Sequence, residues 1–402
     1  MKTGRRAFIQ KAGVVVGGGM LLGHHLPVLS KENNPSGQVR IMEPFHGAVL
    51  NWRHGERFGD GLKIKVQGEI PPGSEIMVNG VAAQREGSSF TSHILLTERE
   101  TEITAMASNW FGQKRHSVRV LWDKHSFPRY RFAINNNIFF LRDIARKRYR
   151  SLFDCFYLDG LRKLHREYGT KFVLNIFYSD GLEYNNGKEF LLTEFPDRYK
   201  KEWESNSHWL KLAFNAYSEF PDRPYQNAPA EKLIADLNLV KEQIYRFAGE
   251  NSYSSPTAIH WVMIQPSALK PLAEEGVRSL SAYFLKTDKG LDLNLGLDET
   301  RTVYLSRNKM LKDFDSGIVF SRMDFTCNKT ALNQTIPTLE GLVKDTRSAE
   351  IMNIFTHEQY FWPFYANYLP DHFQRLEQTI RWLTEKGYKP VFHHEGLLGA
   401  PE

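Results

Sequence analysis

Two short apolar runs late in the chain each end in a His-Glu pair. Residues 351–355 (Ile-Met-Asn-Ile-Phe) lead into Thr356, His357 and Glu358, and residues 390–392 (Pro-Val-Phe) lead into His393, His394 and Glu395. Carboxylates and imidazoles are the side chains of general acid–base chemistry, and imidazoles are also metal ligands. Glycoside hydrolysis needs two carboxyl groups roughly 5–9.5 Å apart, and side chains ending adjacent parallel strands, about 4.8 Å apart, can reach that separation. Glu358 and Glu395 are therefore the candidate catalytic pair, with His357 and His393 tuning them or moving protons. A one-residue slip of register would exchange the inward and outward member of each pair, so all four residues stand as candidates.

The elements around these pairs decide whether they meet. Residues 371–386 have helical periodicity and Gly387 stands where a C-cap belongs. Strand, helix and next strand make one βα unit, which predicts parallel neighbours with both pairs at their C-terminal ends. In parallel α/β folds that edge is where ligands bind. Upstream, apolar runs at 130–134, 171–178, 209–216, 258–264, 277–284 and 317–325 read as further strands. Helical segments at 156–168, 230–248, 266–275 and 336–347 alternate with them, and residues 288–306 read as an inserted hairpin. The alternation predicts a distorted (β/α) barrel over residues 126–402. Its strand ends collect polar residues: Asn135, Asn136 and Asn137, then Asn175, Asn215, His260 and Asp324. Asn and Asp favour loop starts, but so many strands ending this way point to one shared polar pocket. The loop after Asn215 adds Asp222 and Arg223, suited to gripping hydroxyls or an acidic group, and Tyr360 begins an aromatic wall. Asn135, Asn136, Asn215, Asp222, Arg223, His260, Tyr360 and His394 are the candidate binding residues.

Residues 38–125 follow a different rhythm. Leu62, Ile64 and Val66 alternate with Lys63, Lys65 and Gln67, and Asn79-Gly80 marks a hairpin turn. Short strands with frequent turns predict a small all-β sandwich. The segment resembles the immunoglobulin-like modules attached to many bacterial carbohydrate enzymes, without their Cys-Trp-Cys pattern. Before it, Arg5-Arg6-Ala7-Phe8 precedes an apolar stretch from Ala12 to Gly23, which is too short to span a bilayer, where about 20 residues are needed. This resembles a twin-arginine export signal over residues 1–30, followed by a linker at 31–37. It implies the twin-arginine machinery as a partner, a periplasmic or secreted protein, and no membrane attachment once the signal is removed. Lys2, Arg5, Arg6 and Lys11 supply four of the +6 net charges. The rest is close to balanced, which argues against nucleic acid as a partner. Only two cysteines, Cys155 and Cys327, occur, so neither a disulfide scaffold nor a Cys-x-x-Cys zinc site is expected.

Residues 130–395 resemble the polysaccharide-deacetylase superfamily, on an apolar strand ending in a paired polar motif, a second strand-end motif and late strand-end histidines. The resemblance implies a distorted barrel and the hydrolysis of N- or O-acetyl groups on glycans. In that family the first strand ends in two aspartates, one a general base and one a metal ligand, and the matching residues here are Asn135 and Asn136. The second motif reads Asn215-Ala216-Tyr217-Ser218-Glu219 where a metal-binding His pair belongs. Amides are poor zinc ligands and no general bases, so no metal and no other cofactor is expected. The expectation is an exported hydrolase acting on a poly- or oligosaccharide at a glycosidic or ester bond. Two other readings stand: a non-catalytic glycan-binding protein that has lost the metal site, and a metal-dependent esterase using His260, His357 and His393.

Overall fold

The computed structural model describes residues 37–184, 187–287, 290–292 and 294–395. The export signal at 1–30 and nearly all of the linker lie outside the described residues. The fold is mixed α/β, with several sheets and eight α-helices among the described residues. No helix among them is long and apolar enough to cross a membrane.

Residues 40–122 form two five-stranded sheets. The period-two patterning has the consequence that alternation demands: Leu62, Ile64 and Val66 are buried and the lysines between them exposed. These residues join Ile94, Ile103, Ala105, Val118 and Val120 in one apolar core between the sheets. Asn79-Gly80 turns the chain at φ +48° and +79°, the left-handed conformations a tight hairpin requires.

The remainder is built on parallel strands. Arg129–Asn137 is central, flanked by Phe172–Phe177 and Ile351–His357. Leu210–Ala216 lies beyond Phe172–Phe177, and Phe325–Thr326 beyond Ile351–His357. Hydrogen bonds continue past both edges. Ser254 N donates to Leu212 O, and Ser281 N donates to Thr257 O. Ser279–Ala282 runs parallel to Val319–Arg322, and Asp324 N donates to Asn353 O. Strand Phe172–Phe177 is buried throughout. Phe172, Leu174 and Ile176 belong to the main core, whereas Val173 meets Ala213 and Phe392 on the opposite face. Alternation thus divides these strands into an outer, helix-covered face and an inner one. The helices Phe156–Tyr168, Ala230–Phe247 and His372–Glu385 bury one face each, and Gly169 and Gly387 end their segments at φ +70° and +82°.

Three expected elements take other forms. The run 258–264 is mostly a 3-10 turn, His260–Val262, before the two-residue strand Met263–Ile264. Part of the expected hairpin at 288–306 is the helix Glu299–Asn308, which Asp298 starts by accepting from Arg301 N. The run at 390–392 is a strand only over Lys389–Pro390, paired with Arg129 and Tyr130 at the beginning of the central strand. It cannot extend toward the C-terminal end, because from Phe132 onward that edge is occupied by Phe172–Phe177. The chain therefore turns away at Val391 and passes along the N-terminal ends of the parallel strands. The two N-terminal sheets dock at this same end, where Val49 and Leu121 pack on Met310, Val319 and Ile351. Arg129 and Asp123 form a buried ion pair across the junction at 2.7 Å.

Candidate functional site

The C-terminal strand ends carry a ladder of side-chain amides. Asn215 Nδ2 donates to Asn136 Oδ1 at 2.9 Å, and Asn136 Nδ2 approaches Gln359 Oε1 at 3.4 Å. One layer deeper, Asn175 Nδ2 donates to Asn135 Oδ1 at 2.6 Å and to Thr257 Oγ1 at 2.5 Å. Asn136 takes φ +59°, a left-handed conformation that asparagine tolerates better than most residues. Asn137 is internal, accepting from Tyr157 and donating to Ile134 O and Asn175 O.

Glu219 is the carboxylate at this ladder. It hydrogen-bonds Tyr184 and Gln359, and burial, with the nearby Asp222 charge adding to it, raises its pKa from 4.5 to about 7. Its backbone carbonyl is 3.1 Å from His260 Nε2, and His260 packs edge-on against Phe177. His357 bonds Asn328 Oδ1 through Nδ1 at 3.2 Å. With Nδ1 as donor, Nε2 is left as an acceptor. Burial holds both histidines neutral, lowering His260 to about 4 and His357 to about 3. Tyr360 packs against His357 and Tyr365. Exposed aromatic side chains follow in the neighbouring loops: Tyr217, Trp261, Phe364 and Tyr368. Arg223 lies over the Trp261 ring at 5.7 Å, and Asp222 is exposed.

Asn135, Asn136, Asn215, His260, His357 and Tyr360 are thus grouped at one edge, and Asp222 and Arg223 stand in the loop beside it. Glu358 is in that region but is not an open carboxylate. It is fully buried and accepts from the backbone N–H groups of Ile138, Phe139 and Phe140 and from the Trp362 indole, at 2.6–3.0 Å. It caps the helix Phe139–Lys147, whose preceding residue Ile138 has no side-chain acceptor to offer. Burial pushes Glu358 up to about 7 while its four donors pull the other way.

Glu395, His393 and His394 are at the other end of the strands, because the chain turns back at Val391. Glu395 pairs with Lys171 at 2.7 Å, and that pairing lowers its pKa against the effect of burial. His393 is buried with Nε2 2.8 Å from Ser279 Oγ, and His394 is exposed and stacked on Phe392. The pair Glu358–Glu395 is therefore not assembled, and neither is a ligand set of His260, His357 and His393. Asp324 is internal as well, held by Lys309 and Arg322. Among the described residues no three His, Cys, Asp or Glu side chains group as metal ligands.

Sequence reasoning missed Glu219 and Gln359. Glu219 belonged to the loop that supplied Asp222 and Arg223, and its burial against Tyr184 and Gln359, which sets it apart from the exposed Asp222, depends on contacts distant in the chain. Gln359 follows a strand-end His-Glu pair that drew attention to itself.

No family model matches the sequence, and no curated protein aligns with it significantly. Among solved structures, a polysaccharide deacetylase from Bacillus cereus is similar over 61% of this chain and 87% of its own, at 10% identity and a TM-score of 0.24. A putative alpha-galactosidase from Bacteroides fragilis is similar over 61% of this chain and 56% of its own, at 12% identity and a TM-score of 0.19. A putative alpha-galactosidase/melibiase from the same organism covers 61% and 57%, at 9% identity and a TM-score of 0.16. Likeness of this extent carries no argument about what this chain does.

Proposed function

We propose that the chain is an exported hydrolase acting on a poly- or oligosaccharide at the amide-lined edge, with Glu219 as its proton-transfer group. The observation that carries this reading is a carboxyl group with a pKa near 7 beside a ladder of amides and exposed aromatic rings. A carboxylic acid that keeps its proton to neutral pH can protonate a leaving oxygen. Neutral amides exchange hydrogen bonds with hydroxyls, and aromatic faces take the apolar faces of sugar rings. Asp222 and Glu183 are both within electrostatic reach of Glu219, and Asp222, the larger influence of the two, is assigned the activation of water in glycosidic or ester hydrolysis. His357, neutral with Nε2 free to accept, orients a substrate hydroxyl.

The strand links support a closed, distorted (β/α) barrel over 126–402, preceded by an immunoglobulin-like module over 38–125. Export rests on Arg5-Arg6 before the short apolar run. Purified protein is incubated with panels of neutral, acetylated and uronate-bearing oligosaccharides, and Glu219→Gln and Asp222→Asn are compared with the unaltered chain. Each variant should lower turnover by about 10²-fold or more, the loss typical for a general acid or base. Full activity in both variants removes the assignment. Binding without turnover in the unaltered chain selects the second reading, a glycan-binding protein, which the amides Asn135 and Asn136 at the first strand end favour.

A further inference from the structure

Arg131, two residues into the central strand, is 3% exposed, and none of its guanidinium nitrogens has a hydrogen-bond partner among the described residues. The two other fully buried cations nearby each hold a carboxylate, Arg129 with Asp123 at 2.7 Å and Lys309 with Asp324 at 3.4 Å. Arg131 has none of its own. Its side chain lines a small, partly open space on the inner face of the parallel strands, with Ala133, Val173, Thr257, Ser281, Phe355 and His393. Burial lowers its pKa only to about 9, so it remains a cation at neutral pH. Asp123 and Asp324 act on Arg131 only at a distance, being already in contact with Arg129 and with Lys309 and Arg322, and a buried cation with no contacting counter-charge and no hydrogen bond is a costly arrangement in a protein interior.

We propose that this space is a binding site for a single small monovalent anion, with chloride the physiological ion of suitable size. The cavity measures about 10 Å³, room for roughly one water-sized particle, which excludes phosphate, sulfate and carboxylate ligands. Thr257 Oγ1 accepts from Asn175, leaving its own proton free to donate to the ion. Asn353 Oδ1 lines the same space and is also unpartnered, but a neutral acceptor satisfies one N–H without balancing the charge. The site is separate from the candidate catalytic edge and independent of the function proposed there. Asn175 joins the two, since its amide reaches both Asn135 and Thr257.

The test uses the whole protein. Crystals soaked in sodium bromide should show an anomalous peak beside the Arg131 guanidinium. Thermal melting should shift upward by several degrees, saturably, on replacing sodium gluconate with sodium chloride or bromide at equal ionic strength. Arg131→Met should melt at the same temperature in all three salts. If that variant does not fold, the halide titration and the bromide peak of the unaltered chain decide alone. Equal melting in gluconate and halide, with no bromide peak at Arg131, overturns the site and leaves water as the partner of the guanidinium.

Discussion

Glu358 and Glu219 are both carboxyl groups with a pKa near 7, yet their surroundings assign them opposite roles. Every lone-pair direction of Glu358 is taken by an N–H group, so no oxygen is free for a substrate. Glu358→Gln would point an amide N–H₂ at backbone donors and lose the charge at a helix N-terminus. The expected cost is about 2–4 kcal/mol, read as a lowered denaturation midpoint, with turnover per folded molecule nearly unchanged. The Glu219 side chain hydrogen-bonds Tyr184 and Gln359, and among the described residues no backbone N–H donors are ranged on it as on Glu358. Its folded pKa is raised above the ordinary 4.5, so between these values the native state holds more protons than the unfolded chain. Stability from this group is therefore present at low pH and falls as pH rises through about 7. Glu219→Gln removes that dependence: from pH 5 to pH 8 the variant should gain on the unaltered chain by on the order of 1–3 kcal/mol. A difference that stays flat with pH contradicts the raised pKa. The sequence made the polar strand ends Asn135, Asn136, Asn215 and His357 legible, since a residue type at the end of an apolar run can be read directly, whereas His260 reaches the same edge from a 3-10 turn rather than a strand end. Which carboxylate is capped and which is open depends on contacts 218–220 residues apart in the chain, and no spacing rule carries that.

At the scale of elements, those with strong local signals are the ones the sequence discloses. Helix Phe156–Tyr168 and its glycine cap follow from periodicity and composition alone. Helix Phe139–Lys147 escapes, because its cap is supplied by Glu358 rather than by a neighbour. The two-residue strand Lys389–Pro390 is too short to declare an orientation, and its place is set by competition for the edge of the central strand. The turned-back segment is held mainly by Phe392, whose ring meets Val173 and Ala213 with the Lys171 and Lys211 ammonium groups at 4.9 and 5.4 Å. Phe392→Ala should cost about 3–4 kcal/mol in chemical denaturation. Glu395→Gln, which breaks the partly exposed pair with Lys171 but leaves both ammonium groups on the ring and an acceptor for Phe392 N, should cost no more than about 1 kcal/mol. Equal losses from the two would mean that the ion pair, not the ring, fastens this segment.

Across the whole molecule, the N-terminal sheets and the turned-back segment occupy one end of the parallel strands, and the amide ladder stands at the other. The junction is fastened by apolar contact and by Arg129–Asp123, both partners almost completely buried. Asp123→Asn would strand the guanidinium and should cost about 3–5 kcal/mol, with the two halves separating into distinct melting transitions as the junction weakens. Arg5→Lys together with Arg6→Lys should leave precursor in the cytoplasm, and unchanged export would refute the twin-arginine assignment. The pairing of Lys389–Pro390 with Arg129–Tyr130 also has a consequence for the order of synthesis. The central strand is translated about 260 residues before this neighbour exists, and until then the inner-face residues Val173 and Ala213 have no Phe392 to cover them. Closure of this face must then await the turned-back segment and, with partners so distant along the chain, be slow.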